Sequence, residues 1–376
     1  MSKLQELIQK LCPNGVEYKK LEEVCEFQRG NTITAKDAIA GNIPVIAGGQ
    51  KPAYYHNIAN RTGKTIVVAG SGAYAGYVSY WEIPIFVSDA FSINPSDCID
   101  TKYLFYFLKN IQEKIYSTKK GSGVPHVHGS SIAKFEIPIP PIEVQTEIVR
   151  ILDHFNFLAA ELQAELQARQ EQYEYYRNKL LTFSNINNGG GYASVTWMKM
   201  SEICEIGTGS SNTQDELSVG LYPFFVRSQI ARRKDEYEFD ETAIITSGDG
   251  VGVGKIFHYV EGKYALHQRA YRIHVLQEKL IPKFLFHYMR CNFYNYITKN
   301  AYTSSVTSIR KPMLLNFPIP ILSLEVQRCI ISILDKFEAL TSDLSQGLPA
   351  EIAAVQEQYE YYRDKLLSFP KNKVSA

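Results

Sequence analysis

Three stretches of the sequence carry side chains that can grip base edges and phosphates. In Arg29-Gly30-Asn31-Thr32 an arginine and an asparagine share a glycine-bearing turn. Arginine can hold guanine and asparagine adenine through paired hydrogen bonds, each pair contributing about 1–3 kcal/mol of discrimination. The turn Thr208-Gly209-Ser210-Ser211 keeps the glycine and offers hydroxyls instead; the plain alternative for both is a surface turn. Residues 119–128 make a basic, glycine-rich loop holding Lys119, Lys120, Ser122, His126 and His128, matched farther along by Tyr302-Thr303-Ser304-Ser305 and Arg310-Lys311. Such loops suit phosphate contact. The densest cationic cluster is Arg227-Ser228-Gln229 with Arg232-Arg233-Lys234, and its first-half counterpart is Gln50-Lys51 with Tyr54 and Tyr55. These too are candidate DNA contacts, against the alternative of a solvated loop balanced by Asp235 and Glu236.

No catalytic set accompanies them. His126 and His128 have no third ligand near them in sequence, which argues against a metal site. Gly70-Ser71-Gly72 and Gly248-Asp249-Gly250-Val251-Gly252-Val253-Gly254 miss the dinucleotide-binding spacing and sit between strands, so they read as hairpin turns. Gly63-Lys64-Thr65 resembles the end of a phosphate loop, but Ile58 stands where its first glycine belongs. Asn94-Pro95-Ser96-Asp97 lacks the second proline and the aromatic of an amino-methyltransferase motif. No nuclease carboxylate-lysine motif or Ser/His/Asp set is evident, so any catalysis must come from partners. The six cysteines are scattered without a Cys-x-x-Cys pair and read as small buried residues. No run of about eighteen apolar residues is present, and the N-terminus lacks a signal-peptide core, which implies a cytoplasmic protein without a membrane span.

The elements that must position these residues come in two sets. After an amphipathic helix over residues 2–11, residues 18–141 alternate short β-branched and aromatic runs (65–69, 77–81, 83–87) with glycine-rich turns. Helical spacing covers 103–115. Phe135-Glu136-Ile137-Pro138-Ile139-Pro140-Pro141 is extended, because each proline forces its predecessor out of the helical region. Beyond it, Ile148, Phe155, Leu162, Arg169 and Tyr176 fall seven apart, with Leu152, Ala159, Leu166, Tyr173 and Leu180 as the alternate seam. Residues 143–183 therefore read as one helix, about 60 Å long at 1.5 Å per residue, that needs a partner helix.

The partner is a second copy. Glu171-Gln172-Tyr173-Glu174-Tyr175-Tyr176-Arg177 and the six residues after it return at 357–369 with only Asn178/Asp364 and Thr182/Ser368 differing. Tyr18 to Glu26 is echoed by Trp197 to Glu205, Tyr103 to Leu108 by Phe284 to Met289, and Glu143-Val144-Gln145 by Glu325-Val326-Gln327. The helices agree nearly residue for residue, while the β regions agree only in outline. One shared interface used twice, with two different things recognised, accounts for that contrast. Gly347-Leu348-Pro349 must interrupt the second helix, with Gly347 as a C-terminal cap, where the first copy holds the unbroken repeat Ala159-Ala160-Glu161-Leu162 and Gln163-Ala164-Glu165-Leu166. The net charge of +1 divides into +3, −3, +3 and −2 over residues 1–140, 141–183, 184–322 and 323–376, which fits nucleic-acid contact in two places. Tyr175 and Arg177 point away from the seam, and their return as Tyr361 and Arg363 suggests docking of two like partners.

With its duplicated helix ends, Pro138-Ile139-Pro140-Pro141 before Glu143-Val144-Gln145, Gly347-Leu348-Pro349-Ala350-Glu351-Ile352 and the Ala-Glu-Leu tetrapeptides, the chain resembles the specificity subunit of type I restriction-modification systems. The resemblance implies an α+β protein in which two mainly β target-recognition domains (1–140 and 195–322) are each followed by a conserved helical spacer (141–183 and 323–370), with a linker at 184–194 and a tail at 371–376. The two helices would pair as an antiparallel coiled coil with pseudo-twofold symmetry. It further implies double-stranded DNA read as a bipartite site, two adenine-N6 methyltransferase (modification) subunits and ATP-dependent restriction subunits as partners. The chain itself would be non-catalytic, with no cofactor of its own and S-adenosylmethionine, ATP and Mg on those partners. A coiled-coil scaffold whose β domains bind protein or glycan is the alternative.

Overall fold

The computed structural model describes residues 3–121, 123–183, 195–299 and 308–372. The chain divides into two compact units, Met1–Gln163 with Ile352–Ala376, and Ala164–Glu351. Each unit contains one β domain, the first part of the helix that follows it, and one copy of the 171–183/357–369 repeat belonging to the other long helix. The predicted duplication is thus built so that each copy of the repeat packs in the unit of the other β domain.

In the first unit, strand Glu17–Lys20 pairs antiparallel with Glu136–Ile139. This two-stranded ribbon tolerates Pro138 because no third strand needs its missing N–H. A four-stranded antiparallel sheet follows in the order Cys25–Arg29, Ala90–Pro95, Thr65–Ala69, Val78–Trp81. Thr65–Ala69 is buried at every position, as expected of a β-branched run covered on both faces. A smaller sheet orders Tyr54–His56, Ile43–Ile46 and Phe86–Val87, the last pair parallel. The second unit repeats the plan: Thr196–Lys199 with Pro318–Ile321, then Cys204–Thr208, Ala270–Val275, Ala243–Ser247 and Phe257–Val260, with a smaller sheet of Arg232–Lys234, Tyr222–Phe225, Lys263–Leu266 and Phe239–Asp240.

Several boundaries differ from the sequence reading. The helix expected over 103–115 is two helices, Thr101–Asn110 and Gln112–Tyr116, broken at Ile111; Asp100 caps the first by accepting from the amides of Lys102 (2.8 Å) and Tyr103 (2.9 Å). The strand expected over 83–87 is confined to Phe86–Val87. The break in the second helix begins earlier than Gly347: Leu324–Ser342 ends there, Asp343 Oδ1 takes the Ser345 amide at 2.7 Å, and a new helix runs Leu348–Leu366. Gly347 is needed for close approach and not as a left-handed cap, since a Cβ there would lie 2.5 Å from the Ala339 carbonyl oxygen. Cys98 and Cys329 are exposed, against the expectation of buried cysteines. The long helix is continuous over Ile142–Leu181, but its heptad positions are buried only toward its ends, at Ile148, Leu152 and Tyr173. The middle positions Leu162, Leu166 and Arg169 are half-buried.

The helices are fixed to the β domains by a repeated polar lock. Gln145 is fully buried; its amide nitrogen donates to the carbonyls of Cys98 (2.9 Å) and Pro140 (2.7 Å), and its oxygen accepts from the Asp100 amide (2.8 Å). Gln327 makes the same three bonds, to Lys279 (2.8 Å) and Leu322 (2.9 Å) and from Ile281 (2.8 Å). Replacing either glutamine by leucine strands three backbone groups, and one unmet buried group costs about 1–3 kcal/mol. Gln145→Leu and Gln327→Leu are each expected to lower unfolding free energy by about 3 kcal/mol in denaturant titration, whereas the exposed Gln167→Leu should stay within about 0.5 kcal/mol of the parent.

Candidate nucleic-acid interface

At one rim of the first β domain, the loop carrying His126 and His128 is laid against the turn after Thr65–Ala69. The Val127 amide donates to the Gly70 carbonyl (3.0 Å) and the Gly72 amide to the Pro125 carbonyl (3.0 Å), while Lys120 and His126 exchange backbone bonds of 2.9 and 2.8 Å. This brings Arg29, His126 and His128 around a concavity of about 240 Å³, floored by Phe27 and Phe91 and edged by Asp89, whose carboxylate accepts from the Ser71 hydroxyl. The two exposed imidazoles lie nearly parallel, 6.4 Å apart. Three predicted residues from two separate stretches therefore meet. Among the described residues Arg29, Lys51 and Lys120 make no side-chain hydrogen bond or ion pair, leaving their charges open to a ligand.

The remaining first-domain candidates are placed differently. Gln50 lines a separate cleft with Tyr80, Lys102 and Asp153. Asn31 and Thr32 are exposed. Tyr54 is half-buried and donates to the Ile33 carbonyl at 2.5 Å, so its hydroxyl holds the loop that follows Asn31. Lys119 sits 4.2 Å from the Tyr116 ring centre. Ser122 and Ser304 lie outside the described residues, as does the predicted linker at 184–194.

In the second β domain, Ser210 and Ser211 do not face solvent as a pair. Ser211 is buried, donates to the Glu238 carboxylate and accepts from Lys234 Nζ at 3.0 Å, and Ser210 donates its amide to Glu238 at 2.8 Å. Here the turn is constructed around the half-buried Glu238 carboxylate. Gly209 is required in it, because a Cβ would fall 1.8 Å from the Leu266 carbonyl oxygen. Arg232 is engaged by Glu216, whereas Arg233 is exposed and unpaired among the described residues, beside the exposed Gln229. Arg310 and Lys311 are also exposed.

Arg227 gathers a group that sequence reading missed. Its Nη1 donates to Asp249 Oδ1 at 2.6 Å, and Arg269 Nη1 approaches Asp249 Oδ2 at 3.4 Å. Burial opposes ionisation of Asp249, but the bonds and charges of Arg227 and Arg269 outweigh it and hold the carboxyl below its usual range. His267, buried beneath, accepts from the Arg269 amide at 3.0 Å, and burial followed by the Arg227 and Arg269 charges pushes its pKa down. Beyond Arg227 itself, the sequence signal was the glycine-flanked Asp249, which reads equally as a turn.

Among the described residues, one group has gathered metal-ligand donors: His287, Asp335 and Glu338. Arg290 pairs with Glu338 at 2.6 Å and Lys283 with Asp335 at 3.8 Å, while His287 Nε2 meets Asp335 at 2.7 Å. Two resident cations make this an ion-pair network and a poor cation site. Its first-domain equivalent uses the same helix position, Asp153, held by Tyr106 and by Lys102 at 2.9 Å.

On the repeated segments, Tyr175 and Tyr361 are 59% and 60% exposed, and each meets the next tyrosine edge-on at 5.3 Å and 77°. Arg177 and Arg363 are turned the other way. Their guanidinium groups lie over Tyr173 (5.5 Å) and Tyr359 (5.6 Å), and Arg363 donates to Asn110 at 2.8 Å. Arg363 thereby ties its repeat to Asn110 of the β domain in its own unit, while Arg177 stands over a tyrosine of its own repeat.

Comparison with known proteins agrees with the duplicated plan. A family model described as "Type I restriction modification DNA specificity domain" matches residues 13–172 and again 192–354. The chain is 30% identical over 296 residues to the EcoR124I/EcoR124II type I restriction enzyme specificity subunit of Escherichia coli, covering 72% of this chain and 71% of that protein. The crystal structure of a type I restriction-modification system S subunit from M. genitalium superposes with a TM-score of 0.65 at 16% identity, over 94% of this chain and 96% of that one. The HsdS subunit from Thermoanaerobacter tengcongensis gives 0.52 at 15%, over 95% and 97%. No helix among the described residues is long and apolar enough to cross a membrane.

Proposed function

Since the chain belongs to the type I restriction-modification DNA specificity family and carries that domain twice, we propose that it reads a bipartite site on double-stranded DNA, one half per β domain. It addresses two adenine methyltransferase subunits and the ATP-dependent restriction subunits to that site, and performs no catalysis itself. The observation carrying this reading is that the two units share one backbone skeleton while their rims differ in side-chain chemistry: Arg29 with two histidines in one, Arg227 and Arg269 about Asp249 in the other. Arg29, Lys51, Lys120 and Arg233, which have no side-chain partner among the described residues, and the exposed Arg310 and Lys311 are cations suited to phosphates and base edges. Ser211 and Tyr54 act instead by holding their loops. S-adenosylmethionine, ATP and Mg belong to the partners. Domain limits of 1–140 and 195–322 with helical spacers between fit this division of labour, and the cell compartment is the cytoplasm.

Methylation mapping in a host carrying this chain with its modification subunit tests the reading; a continuous single motif, or none, would sink it. Inserting Ala-Glu-Leu-Gln after Leu166 adds about 6 Å of helix. Less than two base-pair rises of about 3.4 Å, this should lengthen the unread spacer and leave both half-sites as they were; altered half-sites or an unchanged spacer would count against the helix as a ruler. The docking role falls to the exposed Tyr175 and Tyr361. The double variant Tyr175→Ala/Tyr361→Ala is expected to melt within a few degrees of the parent but to lose co-purification of the modification subunit at least tenfold, and unchanged co-purification would remove these residues from the interface.

A further inference from the structure

The two β domains can be aligned atom by atom through their backbone bonds, without reference to side chains. The Gly70 amide donates to the Asp89 carbonyl at 3.1 Å, as Gly248 does to Arg269 at 2.9 Å; the Gly70 carbonyl accepts from Val127, as Gly248 does from Ile309. Ser71 bridges His126 and Asp249 bridges Ser308. The Ser88 amide donates to Ile46 as His267 does to Phe225, which makes Gly48 the equivalent of Arg227, two residues on in each domain. One rim locus thus holds Gly48, Ser71 and Asp89 in the first domain and Arg227, Asp249 and Arg269 in the second. The backbone is the same and the charge is reversed: a single carboxylate in one, two guanidinium groups on a carboxylate in the other.

We propose that Arg227, Asp249 and Arg269 form the specificity-determining group of the second β domain, taking an acceptor-rich base edge, that of guanine in a G·C pair. The proposal rests on the DNA-reading function above. Arginine side chains 41% and 61% exposed stand in front of an Asp249 that is 29% exposed, so the cations meet the ligand and the carboxylate sits behind them. Asp249 is a positioning residue. It draws two like charges to one point and leaves donors of each fork without a partner among the described residues, and a guanidinium fork matches the paired O6 and N7 acceptors of guanine. His267, neutral and hydrogen-bonded to the Arg269 amide, fixes the backbone below. The loop projects: Gly250 adopts φ +84° with open space around it, and Val251 is fully exposed. The first domain, with Asp89 tied to Ser71 at the same locus, must read a different edge there.

The test uses the chain co-expressed with its modification subunit, reading methylated motifs genome-wide and affinity for a duplex bearing the mapped site. Arg269→Lys keeps the charge and removes the fork, and its exposure makes misfolding a remote concern; Asp249→Asn releases both arginines, and Asp249→Glu is the conservative rescue. The expected result for Arg269→Lys and Asp249→Asn is a loss of about 5- to 150-fold in discrimination at one G·C position of one half-site, the other half unchanged, with Asp249→Glu restoring it. Uniform weakening at all sites with an unchanged motif and a shallower salt dependence would mean phosphate contact only and overturn the proposal. So would an unchanged motif with unchanged affinity. If the parent complex itself methylates no two-part motif, the DNA-reading function fails, and this assignment with it.

Discussion

The structure depends on one buried amide used twice. A glutamine side chain in a water-free site must satisfy two donors and an acceptor, and Gln145 and Gln327 each do so on backbone atoms alone. A glutamate at the same place could only accept. Because the partners are carbonyls and an amide of the adjoining chain, the lock fixes the start of each long helix to its β domain whatever side chains that domain carries elsewhere. That is the physical condition for a reader whose rims vary while its frame stays fixed.

The contacts along the rest of the helices follow the same logic with more latitude. On the helix side the group is constant, Asp153 or Asp335; on the domain side it is Tyr106 in one unit and His287 in the other. Burial lowers the pKa of His287, so it stays neutral and donates as the tyrosine hydroxyl does. Arg363 meets Asn110, and Arg177 stands by Cys291, whose thiol burial pushes up while the arginine pulls it down. Phe155 against Tyr359 and Tyr362, and Phe337 against Tyr173 and Tyr176, close the apolar part. The repeated tyrosines thus clasp each unit, with Tyr175 and Tyr361 the most exposed of each three.

The duplication, the buried strand Thr65–Ala69, the ribbon prolines and the long helix were legible because each has a local cause: identity of sequence, a β-branched run, a fixed φ, a seven-residue period. What was not legible arose from contacts distant in sequence. Arg177 and Arg363 lie off the apolar seam, but whether such an arginine faces water or an asparagine some 250 positions away is a tertiary matter. Ser211 looked like a base reader until Glu238 claimed its hydroxyl. Asp249 reads in the sequence as a turn residue, and its pairing with Arg227 and Arg269 is made across some twenty positions on either side.

The central claim is that each β domain is an independent reader set on a common frame. It is tested most directly by replacing the second domain with a copy of the first, joining residues 17–140 in place of 196–322 so that both ribbons and both glutamine locks are kept, and mapping methylation in the presence of the modification subunit. The account predicts a two-part motif whose halves have become the same sequence, that of the parent's first half-site. A motif that retains the parent's second half, from a chain that folds and co-purifies with its partner, would contradict it.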